Sequence, residues 1–216
     1  PPVERIAVSL PALAAVRHLA AADARLADLI RRIGPHRPII TPSPFNTLVG
    51  SIVQQQVSMS AAAAIQRRLR DLCPRRRVTP KALLALDTAA LRTVGLSRQK
   101  AAYVHILAEA FATRTLTAAR LRRMSDEDVI AATTALKGIG RWTAEMLLIF
   151  CLERPDIWPV DDLGLRKAVR NFFALKEVPR ARDIEELADP WRPYRSYATW
   201  YLWRSLEGPL MPGVDV

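Results

Sequence analysis

A chain of 216 residues can form one domain, or one domain with two lobes, around a sizeable core. Half of its residues are apolar, but no run is long and apolar enough to span a bilayer, which excludes a membrane-spanning helix. The 32 basic and 21 acidic residues give a formal charge of +11, which favours a polyanionic partner, nucleic acid first and a membrane surface second.

Apolar residues recur at helical spacing along almost the whole chain, and no stretch alternates as a strand would. Ser43 before Pro44 and Thr79 before Pro80 each have the form of an N-cap followed by proline at the first helical position. The predicted helices span residues 12–33 (with or without a break), 45–56, 59–72, 80–86, 88–94, 97–112, 117–123, 125–136, 141–153, 162–174, 182–189 and 193–207. We therefore predict an all-α fold.

The two cysteines, Cys73 and Cys151, lie far apart in the sequence and form no CxxC pair. This usage is typical of a reducing cytoplasm. Two thiols are also too few for a four-cysteine zinc or iron–sulfur site, so no iron–sulfur cluster is expected.

The stretch LKGIGRWTAEMLLIF (136–150) places two glycines between helical segments, too closely for an ordinary helix–helix loop. Gly138 and Gly140 permit positive φ and let a phosphate approach the backbone. Ile139 is expected to pack between the two helices. The next helix begins near Arg141, so its free N–H groups form an anion site that suits a DNA phosphate. The alternative is a C-cap glycine followed by an ordinary tight turn, and this stretch alone leaves it open.

About twenty residues later, WPVDDLGLRK (158–167) places Asp161 and Asp162 before a run with helical apolar spacing. A helix is therefore predicted to begin at or just after the aspartates. The N-terminus of a helix favours an ionised carboxylate, which is the state needed to stabilise a cationic sugar. Cleavage of an N-glycosidic bond builds such a charge on deoxyribose. Capping alone is the alternative role of the pair.

These motifs, in this order, resemble those of the helix–hairpin–helix base-excision DNA glycosylase superfamily, and within it the bacterial 3-methyladenine DNA glycosylase II group. The resemblance covers roughly residues 9 to 207. Further segments similar to family motifs are FNTLVGSIVQQQVSMSAA (45–62), VGLSRQKAAYV (94–104) and DPWRPYRSYATWYLW (189–203). The resemblance implies an all-α, two-lobed fold with a DNA-binding cleft between the lobes.

The resemblance further implies that one aspartate is catalytic. In the family this residue is followed three positions later by an apolar residue and then by basic ones, which matches Asp162 followed by Leu165 and Arg166. Counting from Asp161 reaches Gly164, which fits poorly. Asp161 is therefore expected to be a helix cap or a supporting electrostatic neighbour.

A pocket for a flipped, alkylated base also follows from the resemblance. Trp142 and Trp203 match aromatic pocket positions, and Met146 stands where the family has a tyrosine, which leaves the substrate range open. In IVQQQVSMS (52–60), Gln56 matches the residue that wedges into the duplex, where a leucine is often found. The alternative for residues 54–56 is a helix end on a solvated loop.

By the same resemblance, the hairpin residues that bind a DNA phosphate are Gly138, Ile139, Gly140 and Arg141. In the family, hairpin carbonyls often hold a monovalent cation beside the phosphate, here Na⁺ or K⁺ on the backbone oxygens of Thr134, Leu136 and Ile139. No cofactor is otherwise expected to be required.

Superfamily members that also cut the DNA strand use a lysine that forms a Schiff base with the sugar. In one branch that lysine occupies the position of Trp142. The resemblance therefore implies a monofunctional hydrolase that removes alkylated bases, such as 3-methyladenine, from damaged double-stranded DNA. A monomer without a membrane partner, located in the bacterial cytoplasm and nucleoid, is expected.

Residues 1–216 are expected to form a single catalytic domain. One lobe would come from about 45–155, and the other from the N-terminal segment and about 156–216, without the N-terminal β-rich domain of the bacterial relatives. Two alternative functions stay open: a glycosylase for uracil or an oxidised purine, and a noncatalytic helix–hairpin–helix DNA-binding module.

Overall fold

The computed structural model describes residues 10–207. Residues 1–9 and 208–216, which were included in the predicted catalytic domain, lie outside the described residues. Over 10–207 the chain forms α-helices and two 3₁₀ helices and contains no strand, which confirms the all-α prediction.

The α-helices are α1 (Leu10–Ala22), α2 (Ala24–Ile33), α3 (Pro44–Gln54), α4 (Met59–Leu72), α5 (Pro80–Leu84), α6 (Thr88–Thr93), α7 (Arg98–Ala112), α8 (Ala118–Arg123), α9 (Asp126–Thr134), α10 (Arg141–Phe150), α11 (Leu163–Phe172), α12 (Ala181–Ile184) and α13 (Arg195–Arg204). The 3₁₀ helices are Pro74–Arg76 and Glu186–Trp191.

Local capping explains where several helices begin. Ser43 and Thr79 accept hydrogen bonds from free N–H groups of α3 and α5, and a proline fills the first position of each helix, as predicted. Asp23 breaks the predicted 12–33 helix, because its carboxylate accepts the Arg25 N–H and starts α2 anew.

Another predicted helix is divided in the structure, and several others end a few residues earlier than predicted. Residues 182–189 do not form a single helix; α12 ends at Ile184 and the 3₁₀ helix Glu186–Trp191 follows. Pro190 has no N–H to donate to an α-helical bond, so an α-helix cannot continue regularly through it. Ile184, Ala188 and Trp191 are nevertheless all buried.

The chain divides into two compact units. Of the described residues, unit 1 contains 10–39 and 154–207, and unit 2 contains Ile40–Glu153. The cleft expected between two lobes stays a prediction.

The core of unit 1 holds α11 and α13 together. Leu165 and Val169 of α11 and Tyr201 of α13 are fully buried in one apolar cluster, to which α1 and α2 also contribute. The Tyr201 hydroxyl donates to the Gly34 carbonyl at 3.0 Å, and the Trp158 indole donates to the Ile184 carbonyl at 2.9 Å. Each buried leucine-sized side chain stabilises the fold by about 1.5–3 kcal/mol, so both helices have well-fixed positions.

In unit 2, α7 is packed against α3, α5 and α6, and α10 is packed against α3 and α9. Cys73 and Cys151 are buried free thiols of this unit. Within residues 10–207 no helix is long and apolar enough to cross a membrane.

Candidate active site

Asp162 is the N-cap residue of α11. Its Oδ1 accepts two hydrogen bonds, from the Leu165 backbone N–H at 2.5 Å and from the Trp203 indole Nε1 at 2.8 Å. Aspartate is a strong N-cap, and the third N–H of a helix has no acceptor within the helix, so the first of these bonds satisfies an N–H group that α11 itself cannot. The two donors fix the orientation of a half-buried carboxylate at the positive end of α11.

Gly164 leaves space beside the Asp162 carboxylate. A Cβ atom at position 164 would lie 3.0 Å from Asp162 Oδ1 and 3.5 Å from Trp203 Nε1. The first of these distances is closer than nearly all contacts that real Cβ atoms make. Gly164 is therefore part of the site. In the sequence analysis this residue served only to distinguish Asp161 from Asp162.

Asp161 lies in the turn before α11 and is exposed. The expectation that Asp161 caps the helix is wrong, because the N-cap position and its bond to the Leu165 N–H belong to Asp162. The role of a supporting electrostatic neighbour stays a prediction for Asp161.

The segment that leads into the aspartates is tied to the start of α13. The Arg195 guanidinium contacts both carboxylate oxygens of Asp156, at 2.7 and 3.0 Å. The Ile157 N–H donates to the Ser196 hydroxyl at 2.8 Å, inside the protein. The segment before α11 and helix α13 are therefore connected a second time, which supports the hydrogen bond between Asp162 and Trp203.

The hairpin between α9 and α10 has a strict requirement for one of its glycines. Gly138 has φ +95°, and a Cβ atom there would lie 2.2 Å from the Tyr103 ring. Ile139 is buried, and its N–H donates to the Leu136 carbonyl at 3.1 Å. Gly140 has φ −97° and is the N-cap of α10, and a Cβ atom there would meet open space.

The start of α10 has the form of an anion site. Gly140 has no side chain to cap the helix, so the first N–H groups of α10 lack a side-chain acceptor from their N-cap. The Arg141 guanidinium is paired with Glu127 at 3.2 Å and with Glu145 at 3.1 Å. Arg141 therefore brings a backbone N–H to this site, while carboxylates already neutralise its side chain.

Trp142 and Met146 lie one turn apart on α10, so their side chains point to the same side of the helix. The Trp142 side chain is 37% exposed, which is unusual for the largest apolar residue, and Met146 is 8% exposed. Both belong to unit 2, whereas Asp162 and Trp203 belong to unit 1. The structure brings together the latter two, and a shared pocket stays a prediction.

The predicted wedge residue lies in the loop of residues 55–58 between α3 and α4, which we call the wedge loop. Gln56 is exposed and has φ +56°, a left-handed conformation that is uncommon outside glycine. Gln55 Nε2 donates to the Gly138 carbonyl at 2.8 Å, which links the wedge loop to the hairpin. Sequence analysis gave no role to Gln55, since no local pattern indicates a bond across 83 positions.

Comparison with known proteins identifies the family. Residues 49–193 match the HhH-GPD superfamily base excision DNA repair proteins. The alkylbase DNA glycosidase-like protein mag2 of Schizosaccharomyces pombe is 32% identical over 197 residues, which cover 88% of this chain and 92% of that protein.

Two solved structures are similar to this one over most of their length. The 3-methyladenine DNA glycosylase Mag1 of Schizosaccharomyces pombe, in complex with abasic DNA, superposes with a TM-score of 0.83 at 31% identity, over 94% of this chain and 100% of that one. A DNA-3-methyladenine glycosidase from Bacillus halodurans gives 0.80 at 34% identity, over 88% of both chains. The chain therefore belongs to the HhH-GPD superfamily of base excision DNA repair proteins.

Proposed function

We propose that this protein is a DNA glycosylase that hydrolyses the N-glycosidic bond of alkylated bases, 3-methyladenine among them, in double-stranded DNA. The observation that carries the proposal is the carboxylate of Asp162, held by the Trp203 indole and the Leu165 N–H at the start of α11. Family membership and the names of the relatives, which are 3-methyladenine and alkylbase glycosylases, support the substrate class.

Asp162 is the catalytic residue in this proposal. As the bond between C1′ of the sugar and N9 of the flipped base breaks, its electron pair moves to the base and neutralises the alkylated ring. The carboxylate stabilises the positive charge that develops on the sugar. A water oxygen then bonds to C1′ and gives up one proton, which Asp162 accepts directly or passes to solvent. The products are a neutral base and an abasic site.

The base pocket is assigned to Trp142, Met146 and Trp203. A cationic alkylated purine is attracted to the electron-rich faces of tryptophan rings, and a methionine sulfur adds a polarisable contact. The partial exposure of Trp142 on α10 supports this assignment, because a ring needed only for the core would be covered.

The contacts with DNA are assigned to unit 2. The free N–H groups at Gly140 and Arg141 bind a phosphate, with Gly138 and Ile139 shaping the turn. Gln56 enters the duplex and fills the gap left by the flipped nucleotide. Its exposure at the tip of the wedge loop supports this role.

The proposed reaction uses water and no lysine, which makes the enzyme monofunctional. The hairpin position used for a Schiff base in one branch of the superfamily holds Trp142. Of the five lysines, Lys100 is engaged with the Val53 carbonyl at 2.8 Å and Lys137 precedes the hairpin glycines.

The backbone oxygens of Thr134, Leu136 and Ile139 are proposed to hold a weakly bound Na⁺ or K⁺. Thr134 is the last residue of α9, where carbonyls lose their helical partners, and the Leu136 oxygen accepts one hydrogen bond and keeps a second lone pair. Together with the Ile139 oxygen they form a neutral set of hard donors, which suits a monovalent ion. Such an ion would help to bind the phosphate; the reaction itself needs no cofactor.

The partner in this proposal is damaged double-stranded DNA, and the protein acts as a monomer. The net charge of +11 suits a polyanion. Free buried thiols and a chromosomal substrate support a location in the bacterial cytoplasm and nucleoid.

The test is release of bases from defined duplexes that carry 3-methyladenine, uracil or 8-oxoguanine, followed by chromatography of the free bases. We expect release of 3-methyladenine and an abasic strand that stays intact until alkali is added. Release of another base alone would transfer the assignment to that lesion. Binding without any release would favour a noncatalytic DNA-binding module.

A further inference from the structure

We propose that Gln55 is a positioning residue that couples the wedge loop to the phosphate-binding hairpin. The amide of Gln55 donates to the Gly138 carbonyl, so the loop that carries Gln56 is attached to the turn that binds DNA. This inference rests on the proposed function, in which Gln56 enters the duplex and the hairpin holds a phosphate.

The wedge loop is a tight and strained turn. The Val57 N–H donates to the Gln54 carbonyl at 3.3 Å, and Gln55 has φ −52° and ψ 124°. With φ +56° at Gln56, these values are typical of a type II turn, in which the third residue is usually glycine. The left-handed conformation is energetically unfavourable for a glutamine, so contacts outside the turn must hold Gln56 in this conformation.

The bond from Gln55 is a contact that leaves the loop. It spans 2.8 Å between the Gln55 amide nitrogen and the Gly138 oxygen, and it is partly shielded from water. Because Gln55 immediately precedes Gln56, a fixed Gln55 side chain limits where the Gln56 side chain can point.

Helix α7 supports both ends of this connection. Lys100 Nζ donates to the Val53 carbonyl at 2.8 Å, at the C-terminal end of α3 where a positive charge is favourable. Tyr103, three residues along the same helix face, fills the space directly under Gly138. Lys100 therefore fixes the helix that leads into the wedge loop, and Tyr103 fixes the hairpin.

The consequence is a fixed register between two DNA contacts. A phosphate that binds at the start of α10 sets the position of the hairpin on the duplex, and the Gln55 bond transfers that position to Gln56. Without the bond, the hairpin would still bind a phosphate, but the entry of Gln56 into the base stack would no longer be tied to it.

The experiment compares the wild-type chain with Gln55→Met, Gln56→Ala and the double variant. Methionine has nearly the size of glutamine and cannot donate a hydrogen bond. Gln54→Met is the matched control, since it makes the same change one residue earlier and leaves the Gln55 bond intact. The probe is a duplex with a tetrahydrofuran abasic analogue opposite 2-aminopurine, whose fluorescence reports the disturbed base stack.

We expect Gln55→Met to weaken the preference for the abasic over the undamaged duplex by about threefold to tenfold, the effect of one hydrogen bond, and to reduce the fluorescence change. Affinity for undamaged duplex should stay at the wild-type level, as should both readouts in Gln54→Met. In the Gln56→Ala background, Gln55→Met should have no further effect, because Gln55 acts through Gln56.

The inference is overturned if Gln55→Met behaves like Gln54→Met, if its effect persists in full beside Gln56→Ala, or if Gln56→Ala alone changes nothing. A different result is expected if the proposed glycosylase function itself is wrong. In that case the wild-type protein itself would show neither a preference for the abasic duplex nor release of 3-methyladenine.

Discussion

The indole Nε1 of Trp203 donates a hydrogen bond to Oδ1 of Asp162 at 2.8 Å, which joins α13 to the start of α11. Hydrogen bonds to charged groups are roughly twice as strong as neutral ones. The same tryptophan is thus proposed to do two things: to orient the catalytic carboxylate with its nitrogen and to face the flipped base with its ring.

Replacing Trp203 by phenylalanine separates these two roles. Phenylalanine keeps an aromatic ring but removes the N–H, so Asp162 Oδ1 loses the indole donor and keeps the Leu165 N–H. Loss of a hydrogen bond to a charged group costs about 1.5–3 kcal/mol, so we expect single-turnover base release to slow by about 10- to 100-fold. Affinity for an abasic duplex should change much less. An unchanged rate would mean that the indole N–H does not orient the carboxylate.

Gly164→Ala tests whether the space beside Asp162 is needed. Alanine has a higher helix propensity than glycine by about 1 kcal/mol, so at a merely structural position in α11 it would raise stability or leave it unchanged. In this site its Cβ would press on Asp162 Oδ1 at 3.0 Å. We expect slower base release, by about tenfold for a carboxylate displacement that costs near 1.4 kcal/mol, with a thermal midpoint no lower than that of wild type. Full activity would contradict the account of this glycine.

The two hairpin glycines form a matched pair. Gly138→Ala forces a side chain onto positive φ and into the Tyr103 ring, and we expect it to lower the free energy of unfolding by about 2–4 kcal/mol. Gly140→Ala places its Cβ in open space, so the thermal midpoint should stay near wild type while DNA affinity falls, because the phosphate would occupy that space. Equal thermal midpoints for the two variants would contradict this difference.

The burial of His36 leads to a prediction of how the free energy of unfolding depends on pH. Its ring packs against Tyr197 and Trp200 with centroid distances of 4.5 and 4.7 Å, and burial lowers the pKa of His36 from 6.5 to about 4. Between these values the unfolded chain binds a proton that the folded chain does not, so stability falls as the pH decreases from about 6.5 to 4. Allowing for the partial exposure of the ring, the loss is on the order of 1–2 kcal/mol.

Urea unfolding of wild type and His36→Phe at pH 7 and pH 4.5 measures this dependence. The variant should lose less stability than wild type over the same interval, because it has no proton to bind at position 36. An identical pH slope in both proteins would show that other groups account for it.

Features that are local in the sequence were predictable. A capping residue acts within one turn, so the starts of α3, α5 and α11 followed from Ser43, Thr79 and the pair of aspartates. The choice of Asp162 as the capping residue did not follow. Either aspartate could begin the helix by its chemistry, and the N-cap position depends on the turn that precedes it.

Contacts between distant parts of the chain could not be predicted in the same way. The bond between Gln55 and Gly138 and the packing of Tyr103 under that glycine arise only when α3, α7 and α10 come together. The position of Asp162 Oδ1, against which a Cβ atom at position 164 would press, is likewise fixed in part by the Trp203 indole, 41 residues further along the chain. Sequence motifs identified the elements, and packing determined which residues meet.

The central claim is that Asp162 performs the chemistry and Asp161 does not. Single-turnover release of 3-methyladenine from a defined duplex, measured for wild type, Asp162→Asn and Asp161→Asn, tests it most directly. Asparagine is as good an N-cap as aspartate, so Asp162→Asn keeps the helix start and removes only the negative charge. We predict a loss of about 10³-fold or more for Asp162→Asn, with abasic-DNA affinity retained, and nearly wild-type rates for Asp161→Asn. Retained activity in Asp162→Asn, or loss confined to Asp161→Asn, would contradict the account.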